Sequence, residues 1–386
     1  MAEKIATASL SPSAAMKLAI SEAKKGHGWV SPNPVVGCVI LDHSGNLLST
    51  GYHKKLGGPH AEVEALQQIK DPHKLKGAHV FVTLEPCSHF GRTPPCAEAL
   101  AKLPLKEVTY GLLDPNPKVS GRGAEILRKA GITCTGWSEI LREKTKEIET
   151  ELNELAEIFL YNQRQQKCFV SLKVASSLDG KIGMRSGESK WITGELARQQ
   201  SHVLRAQYDA VMIGKNTFLK DDPSLNVRLP SYEKHINSVV ILDPRGESRA
   251  KIESSKLARV RPLEKIFIAT LNDQNISGTK DGGPRVLRIR KTSGGKLDIS
   301  DLLAQLWTNE IKSIFVEGGA HSFAGLLAAR EFQRLHLFMA PILLGGAHGA
   351  TWTQYFGGEK MSDLLALDGT EPTQFGRDFY FSLKPS

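Results

Sequence analysis

Pro59-His60-Ala61-Glu62-Val63, Thr83-Leu84-Glu85-Pro86-Cys87 and Pro94-Pro95-Cys96 lie within one stretch of the chain, and the reading of the rest turns on them. One imidazole, two thiols and a carboxylate are gathered there. A zinc ion takes nitrogen and sulfur ligands in a tetrahedron, and a catalytic zinc keeps three protein ligands and one open position. His60, Cys87 and Cys96 supply three such ligands. Glu62 is left over. The local signals place these residues at helix starts: Gly57-Gly58-Pro59 reads as a turn with Pro59 at the first helical position and Ala61 to Ile69 as the helix. Pro94-Pro95-Cys96 opens a second helical run, Ala97 to Ala101. The positive end of a helix favours the thiolate, which is the metal-binding form.

Zinc-dependent nucleobase deaminases carry H-x-E followed by P-C, with a glutamate that is not a ligand but moves protons. His60-Ala61-Glu62 and Pro86-Cys87 fit that pattern. Taken singly, each residue has a plainer reading, with His60 a helix cap, Glu62 a solvated carboxylate and the cysteines small packed hydrophobes. All four in this order, each thiol directly after a proline, favour the metal. The thiols are separated by Ser88 to Pro95, a longer gap than the general deaminase pattern has.

At 386 residues the chain exceeds one average domain, and a prior of about 150 residues per domain predicts two or three. A formal charge of +9 without a long lysine or arginine run favours small anionic ligands over a polymer track. Five cysteines, Cys38, Cys87, Cys96, Cys134 and Cys168, are too few and odd in number for a disulfide framework and predict a reducing compartment. Cys38, Cys134 and Cys168 read as structural. No run reaches the length of about 18 apolar residues that a membrane span needs, and the N-terminus lacks a signal-peptide apolar region, so a cytoplasmic protein is expected.

Read in order, Ser13 caps a helix carrying Met16, Ala19, Ile20 and Ala23, which Gly26 ends. A hairpin follows, Val35 to Leu41 and Leu47 to Tyr52, turning at Asp42 to Gly45. Then come the His60 helix, a strand 79–84, the Cys96 helix, a strand Val108 to Leu112, a helix Ala124 to Lys129 and a strand Ile132 to Thr135. From Ser138 a helix of over twenty residues is predicted, with Leu141, Ile148, Leu152, Leu155 and Phe159 on one stripe. The polar run Asn162 to Gln166 ends it. The second half alternates strands (169–174, 210–213, 239–242, 265–269, 313–316, 335–339) with helices (193–205, 299–307, 322–329), and 272–284 and 291–296 read as surface loops. Alternation of strands and helices predicts α/β architecture in both halves, with domains over 11–150 and 166–386.

In the second half, Ile314-Phe315-Val316-Glu317-Gly318-Gly319 runs a strand through two glycines into a helix, an arrangement suited to phosphate. There is no Rossmann fingerprint in its usual context and no P-loop. Ser176 to Lys181, Ser186 to Thr193 and Thr217 to Pro223 read as polar loops.

Together these runs resemble one family, the bifunctional deaminase/reductase of bacterial riboflavin biosynthesis. The marks are Asn33-Pro34-Val35-Val36-Gly37, Gly51-Tyr52-His53, Pro59 to Val63, Thr83 to His89, Gly91 to Cys96 and Asp114-Pro115-Asn116-Pro117, then Ser176 to Gly180, Ser186 to Ser189, Trp191-Ile192-Thr193, Leu204-Arg205-Ala206, Asp221-Asp222-Pro223 and Val316 to Gly319. The long gap between the thiols is that family's own pattern. The resemblance implies a cytidine-deaminase-like αβα domain with zinc on His60, Cys87 and Cys96 and Glu62 as proton carrier, followed by a dihydrofolate-reductase-like α/β domain using NADPH. It further implies cofactor contacts at Ala175, Trp191, Thr217, Asp221, Gly319, Ala320, His321, Ser322, Phe323, Ala324 and Gly325. Substrate contacts are implied at Asn33, His53, Ser189, Arg205, Leu225, Arg228 and Glu317, with Lys173 a proton donor. Pro244 stands where a small hydroxyl residue is expected near the cofactor. A small phosphorylated pyrimidine as substrate, a homo-oligomer, and neither nucleic acid nor membrane as partner complete the expectation. The alternative is a nucleoside or tRNA deaminase fused to an unrelated α/β module. A zinc-binding protein without catalysis would need a fourth ligand, for which His89 is near in sequence.

Overall fold

The computed structural model describes residues 9–89, 94–116, 120–140, 145–271, 282–346 and 349–386. Leu141, Pro117, the middle of the loop between the thiols and most of the 272–284 stretch lie outside the described residues. The chain forms two compact units, Met1–Gln166 and Lys167–Ser386.

In the first unit the strands are β1 (Gly37–Leu41), β2 (Leu47–Tyr52), β3 (His79–Leu84), β4 (Glu107–Leu112) and β5 (Thr133–Gly136), and the helices α1 (Pro12–Lys24), α2 (Ala61–Leu66), α3 (Cys96–Ala101), α4 (Arg122–Lys129) and α5 (Thr145–Gln165). Among the described residues the sheet runs β2-β1-β3-β4-β5, with β1 antiparallel to both neighbours and β3, β4 and β5 parallel. Because side chains alternate along a strand, Cys38, Ile40, Val80 and Val82 meet Ala61, Ala65, Leu100, Ala124 and Leu127 of α2, α3 and α4. Val39, Leu41 and Phe81 point the other way, onto Met16, Ile20, Ile148 and Leu152 of α1 and α5. Helices therefore cover both faces.

Three helix starts differ from expectation. Ser11, not Ser13, caps α1: its side chain accepts from the Ala14 amide, and Pro12 fills the first turn where no amide partner is needed. His60 is the residue before α2 and keeps extended backbone, so Pro59 precedes the helix, which ends at Leu66. Ser138 belongs to a short 3-10 turn, Trp137–Glu139, that seals Trp137 into the core, and the long helix is described from Thr145.

The second unit holds β6 (Phe169–Ser177), β7 (Lys181–Gly183), β8 (Ala210–Gly214), β9 (Ser238–Leu242), β10 (Ile266–Leu271), β11 (Arg285–Ile289), β12 (Ser313–Glu317), β13 (Arg334–Ala340), β14 (Ala350–Thr351), β15 (Leu367–Gly369), β16 (Thr373–Phe375) and β17 (Asp378–Pro385). Its helices are α6 (Glu195–Ala206), α7 (Lys215–Asp221), α8 (Lys256–Val260), α9 (Ile299–Thr308) and α10 (Ala320–Ala329). The main sheet runs β11-β10-β9-β8-β12-β6-β13-β17-β15, parallel from β11 to β13 and antiparallel at β17. Leu302, Leu306, Phe323 and Leu327 of α9 and α10 cover one face, and Phe218, Ile252 and Leu257 the other. Thr217 to Asp221, expected as loop, is helical because Phe218 is drawn fully into that second core.

A buried polar chain links β6, β13 and β17. Ser171 Oγ is 2.6 Å from the Tyr208 hydroxyl, which is 3.1 Å from His336 Nε2, while His336 Nδ1 is 2.8 Å from the Tyr380 hydroxyl. Burial, reinforced by Arg334, pushes the His336 imidazole down to about 3. A histidine depressed in the folded state binds its proton first in the unfolded chain, so stability is complete above the ordinary histidine pKa and falls as pH drops through that window. Urea unfolding followed from pH 7 to pH 4 is expected to show a falling midpoint, with a shallower slope in His336→Gln; an equal slope would place the acid sensitivity elsewhere.

Candidate functional site

Gly51 sets the geometry around His60. A Cβ on it would lie 2.4 Å from the Ala61 carbonyl oxygen, so only glycine lets the start of α2 rest directly on β2. His60 is thereby held over the sheet edge, opposite the ends of β3 and the start of α3. His60 Nδ1 lies 3.5 Å from Cys87 Sγ and 3.3 Å from Cys96 Sγ, and all three donor atoms fall within 4.8 Å of one another. A zinc tetrahedron with ordinary Zn–N and Zn–S bonds has an N–S edge of about 3.6 Å. The three donors thus fit the ion. Among the described residues the group contains no fourth ligand, and His89 is exposed.

The Cys96 amide donates to Cys87 Sγ at 3.3 Å. Cys87 is held down by its hydrogen bonds with Cys96 and His60, and Cys96 is pushed up because one of two adjacent thiols keeps the proton. The Cys87 contact raises His60. Glu62 is buried on the first turn of α2. Burial and the Cys87 thiolate push its carboxyl up to about 7. A carboxyl so placed can both accept and return a proton near neutrality.

His53 is 3 % exposed and packs edge-on to His60, ring centroids 5.4 Å apart. Its Nδ1 is 2.9 Å from the Pro59 carbonyl oxygen, which can only accept, so Nδ1 carries the proton and Nε2 is left as an acceptor, 3.5 Å from Asn33 Nδ2. Asn33 and His53 therefore present polar edges beside the donors. Cys38, Cys134 and Cys168 are buried elsewhere in the cores.

In the second unit the candidates gather at the carboxyl ends of neighbouring parallel strands, where open α/β sheets bind ligands. Ala175 is on β6, Thr217 and Asp221 on α7 after β8, and Gly319 to Gly325 at the start of α10 after β12. A Cβ on Gly214 or Gly318 would come within 2.7 and 2.9 Å of Ser322 Oγ, so the two turns close around that hydroxyl. Trp191 is 72 % exposed, in left-handed backbone (φ 67°), with the Arg198 guanidinium carbon 4.3 Å from its ring centre. Ser189 lies in the exposed loop before α6.

Arg205, implied as a substrate contact, is engaged within the protein. Its Nε and Nη2 donate to the two Glu317 carboxylate oxygens at 2.6 and 2.9 Å, and Nη1 donates to the Asn226 carbonyl at 2.7 Å. It ties the end of β12 to the 225–228 segment, where Leu225 is held at φ 50°. Arg228 packs on His202, its Nε 3.2 Å from His202 Nε2. Lys173 is level with Glu317 in the β6–β12 register; burial lowers its ammonium and Glu317 opposes that shift. Arg198, His202 and Glu85 escaped the sequence reading. The first two are signalled only by helical spacing from Trp191, Arg205 and one another, and Glu85 by an acid closing an apolar strand next to Pro86-Cys87.

The fold and the sites define a deaminase domain joined to a reductase domain. Residues 11–112 match the family model described as cytidine and deoxycytidylate deaminase zinc-binding region, and residues 168–381 match the RibD C-terminal domain. The riboflavin biosynthesis protein RibD of Actinobacillus pleuropneumoniae is 39% identical over 92% of this chain and 91% of its own length, and that of Escherichia coli K12 is 37% identical over 94% and 96%. Among solved structures, Acinetobacter baumannii RibD is 36% identical with a TM-score of 0.78, and a Thermotoga maritima diaminohydroxyphosphoribosylaminopyrimidine deaminase/5-amino-6-(5-phosphoribosylamino)uracil reductase is 31% identical with a TM-score of 0.81, each covering 96% of this chain and 98% of that chain. The chain belongs to the RibD family, the bifunctional deaminase/reductases of riboflavin biosynthesis.

Removing one member of a buried ion pair leaves an uncompensated charge and costs about 3–5 kcal/mol. Glu317→Ala is expected to destabilise the second unit by that order, and the Arg205→Ala/Glu317→Ala double variant by less than the sum of the singles. Denaturant titrations of the four proteins check it; additive losses would show the pair uncoupled.

Proposed function

We propose that the first unit deaminates the ring of a phosphorylated, ribosylated diaminopyrimidinone with zinc on His60, Cys87 and Cys96, and that the second reduces the ribosyl group to a ribityl chain with NADPH. The observation that carries the first half is a three-donor group with a buried, non-ligating carboxylate two residues from His60. Zinc, when bound, makes a coordinated water acidic enough to furnish a nucleophile near neutral pH. Glu62 takes a proton at its carboxylate and returns it to the departing amine, which leaves as ammonia. Such general acid–base work is worth about 10²- to 10⁴-fold. His53 Nε2 accepts from a ring N–H or amino group, and Asn33 donates to an oxygen of the base or sugar.

For the second half, the support is the gathering of Ala175, Thr217, Asp221 and the start of α10 at adjacent strand ends. NADPH, when bound, supplies a hydride. The α10 start, which has no side-chain cap, offers amides to its phosphates, and Trp191 offers an aromatic face held by Arg198. Arg228 meets the substrate phosphate; Arg205 and Glu317 hold the 225–228 segment in place, and Lys173 delivers a proton. These assignments rest on the family motif and on that clustering. The domains are taken as 11–150 and 166–386. Five unpaired thiols accord with a cytoplasmic enzyme, and among the described residues no helix is long and apolar enough to cross a membrane. The nucleoside or tRNA deaminase alternative is not favoured, since the relatives match both halves.

Purified zinc-loaded protein given the diaminopyrimidinone substrate without NADPH is expected to release ammonia. Glu62→Gln should retain zinc and lose activity by about 10²-fold or more. A zinc-replete wild type that releases no ammonia would overturn the deaminase half. Adding NADPH should then produce the ribityl compound, and Arg228→Ala should raise KM for the phosphorylated intermediate far more than it lowers kcat.

A further inference from the structure

Glu85 closes β3 immediately before Pro86 and Cys87, and it is a carboxylate only 4 % exposed. Backbone amides surround it. Its Oε1 accepts from Gly123 at 2.9 Å and Ala124 at 3.2 Å, and its Oε2 from Gly121 at 2.9 Å and Asp114 at 3.3 Å. One side chain thus binds the first turn of α4 and the turn after β4 to the residue two before a thiol ligand. A second observation lies on the same spot. A Cβ on Gly123 would stand 2.0 Å from the Pro86 carbonyl oxygen, so the α4 backbone is pressed directly against the peptide that leads to Cys87.

Four amide donors shared over two oxygens fix a carboxylate in both direction and rotation, because each lone-pair direction is occupied. The Cys87 main chain has little freedom left: Pro86 restricts it on one side, and the Cys87 carbonyl accepts from the Ala97 amide on the other, at 3.1 Å. Partners that orient a metal's ligands typically contribute 10- to 100-fold to affinity or activity.

We propose that Glu85 is a positioning residue of the metal centre, fixing Cys87 Sγ against His60 and Cys96 through α4 and the Asp114 turn. The proposal rests on the three-donor centre described above but not on what substrate the centre serves. Glu85→Gln keeps the shape and places an NH₂ group against amides that need an acceptor. Gly123→Ala leaves Glu85 intact and displaces the Pro86 peptide.

The test is made on the full chain, loaded with zinc or with cobalt. Three quantities are read: the rate of zinc transfer to a competing chelator, the cobalt–thiolate absorption spectrum, and the reductase activity of the same sample as a measure of folded protein. Both variants are expected to lose zinc at least 10-fold faster than wild type, with an altered cobalt spectrum and wild-type reductase activity. Wild-type zinc transfer and an unchanged spectrum in both variants would overturn the proposal, whatever happens to ammonia release. If Glu85→Gln fails to fold, Gly123→Ala alone decides between the same two outcomes. Failure of the deamination reading looks different: wild type then holds zinc tightly and releases no ammonia, while the transfer rates still rank the variants.

Discussion

Two thiols and an imidazole do not settle within hydrogen-bond distance of one another unless the surrounding chain forces them there, since each thiolate added raises the cost of the next. The first unit is built around meeting that constraint. His60 arrives at the start of one helix and Cys96 at the start of another, while Cys87 follows the strand between them. The parallel pairing of β3, β4 and β5 fixes where that strand ends, and glycine at position 51 fixes how close the His60 helix comes. Glu62 feels the same crowding: burial and the neighbouring Cys87 thiolate push its carboxyl up to about 7.

The second unit meets a different demand. Its strands from β11 to β13 run parallel, so their carboxyl ends open on one edge, and the residues that follow β8 and β12 begin helices side by side there. The polar residues behind that edge are largely committed to each other. Arg205 illustrates this, because its three donating nitrogens are spent on Glu317 and on a main-chain carbonyl. Its bond to Asn226 ties the end of β12 to the segment that carries Arg228.

Much of this was legible in the sequence because it rests on short-range chemistry. The H-x-E run, the proline before each thiol and the alternation of strands with helices pointed to the three-donor group and to both α/β units. What escaped reading depends on distant partners. Ser11 outranks Ser13 as a cap because Pro12 suits the first turn; Thr217 to Asp221 becomes helical because Phe218 finds a core built from strands in other parts of the chain. Glu85 looks like any acid after a strand until residues some thirty-five positions later bring their amides to it. The commitment of Arg205 to Glu317 joins residues over a hundred apart.

Leu225 carries a further consequence. It holds a left-handed backbone that suits glycine, yet its side chain is buried against the core beneath β8 and β9. Such strain costs on the order of 1–3 kcal/mol. A drift to glycine would relax the main chain and empty the contact in the same step, so backbone strain and core packing pull this position in opposite directions. Its variation across descendants of this gene would record which pressure prevailed.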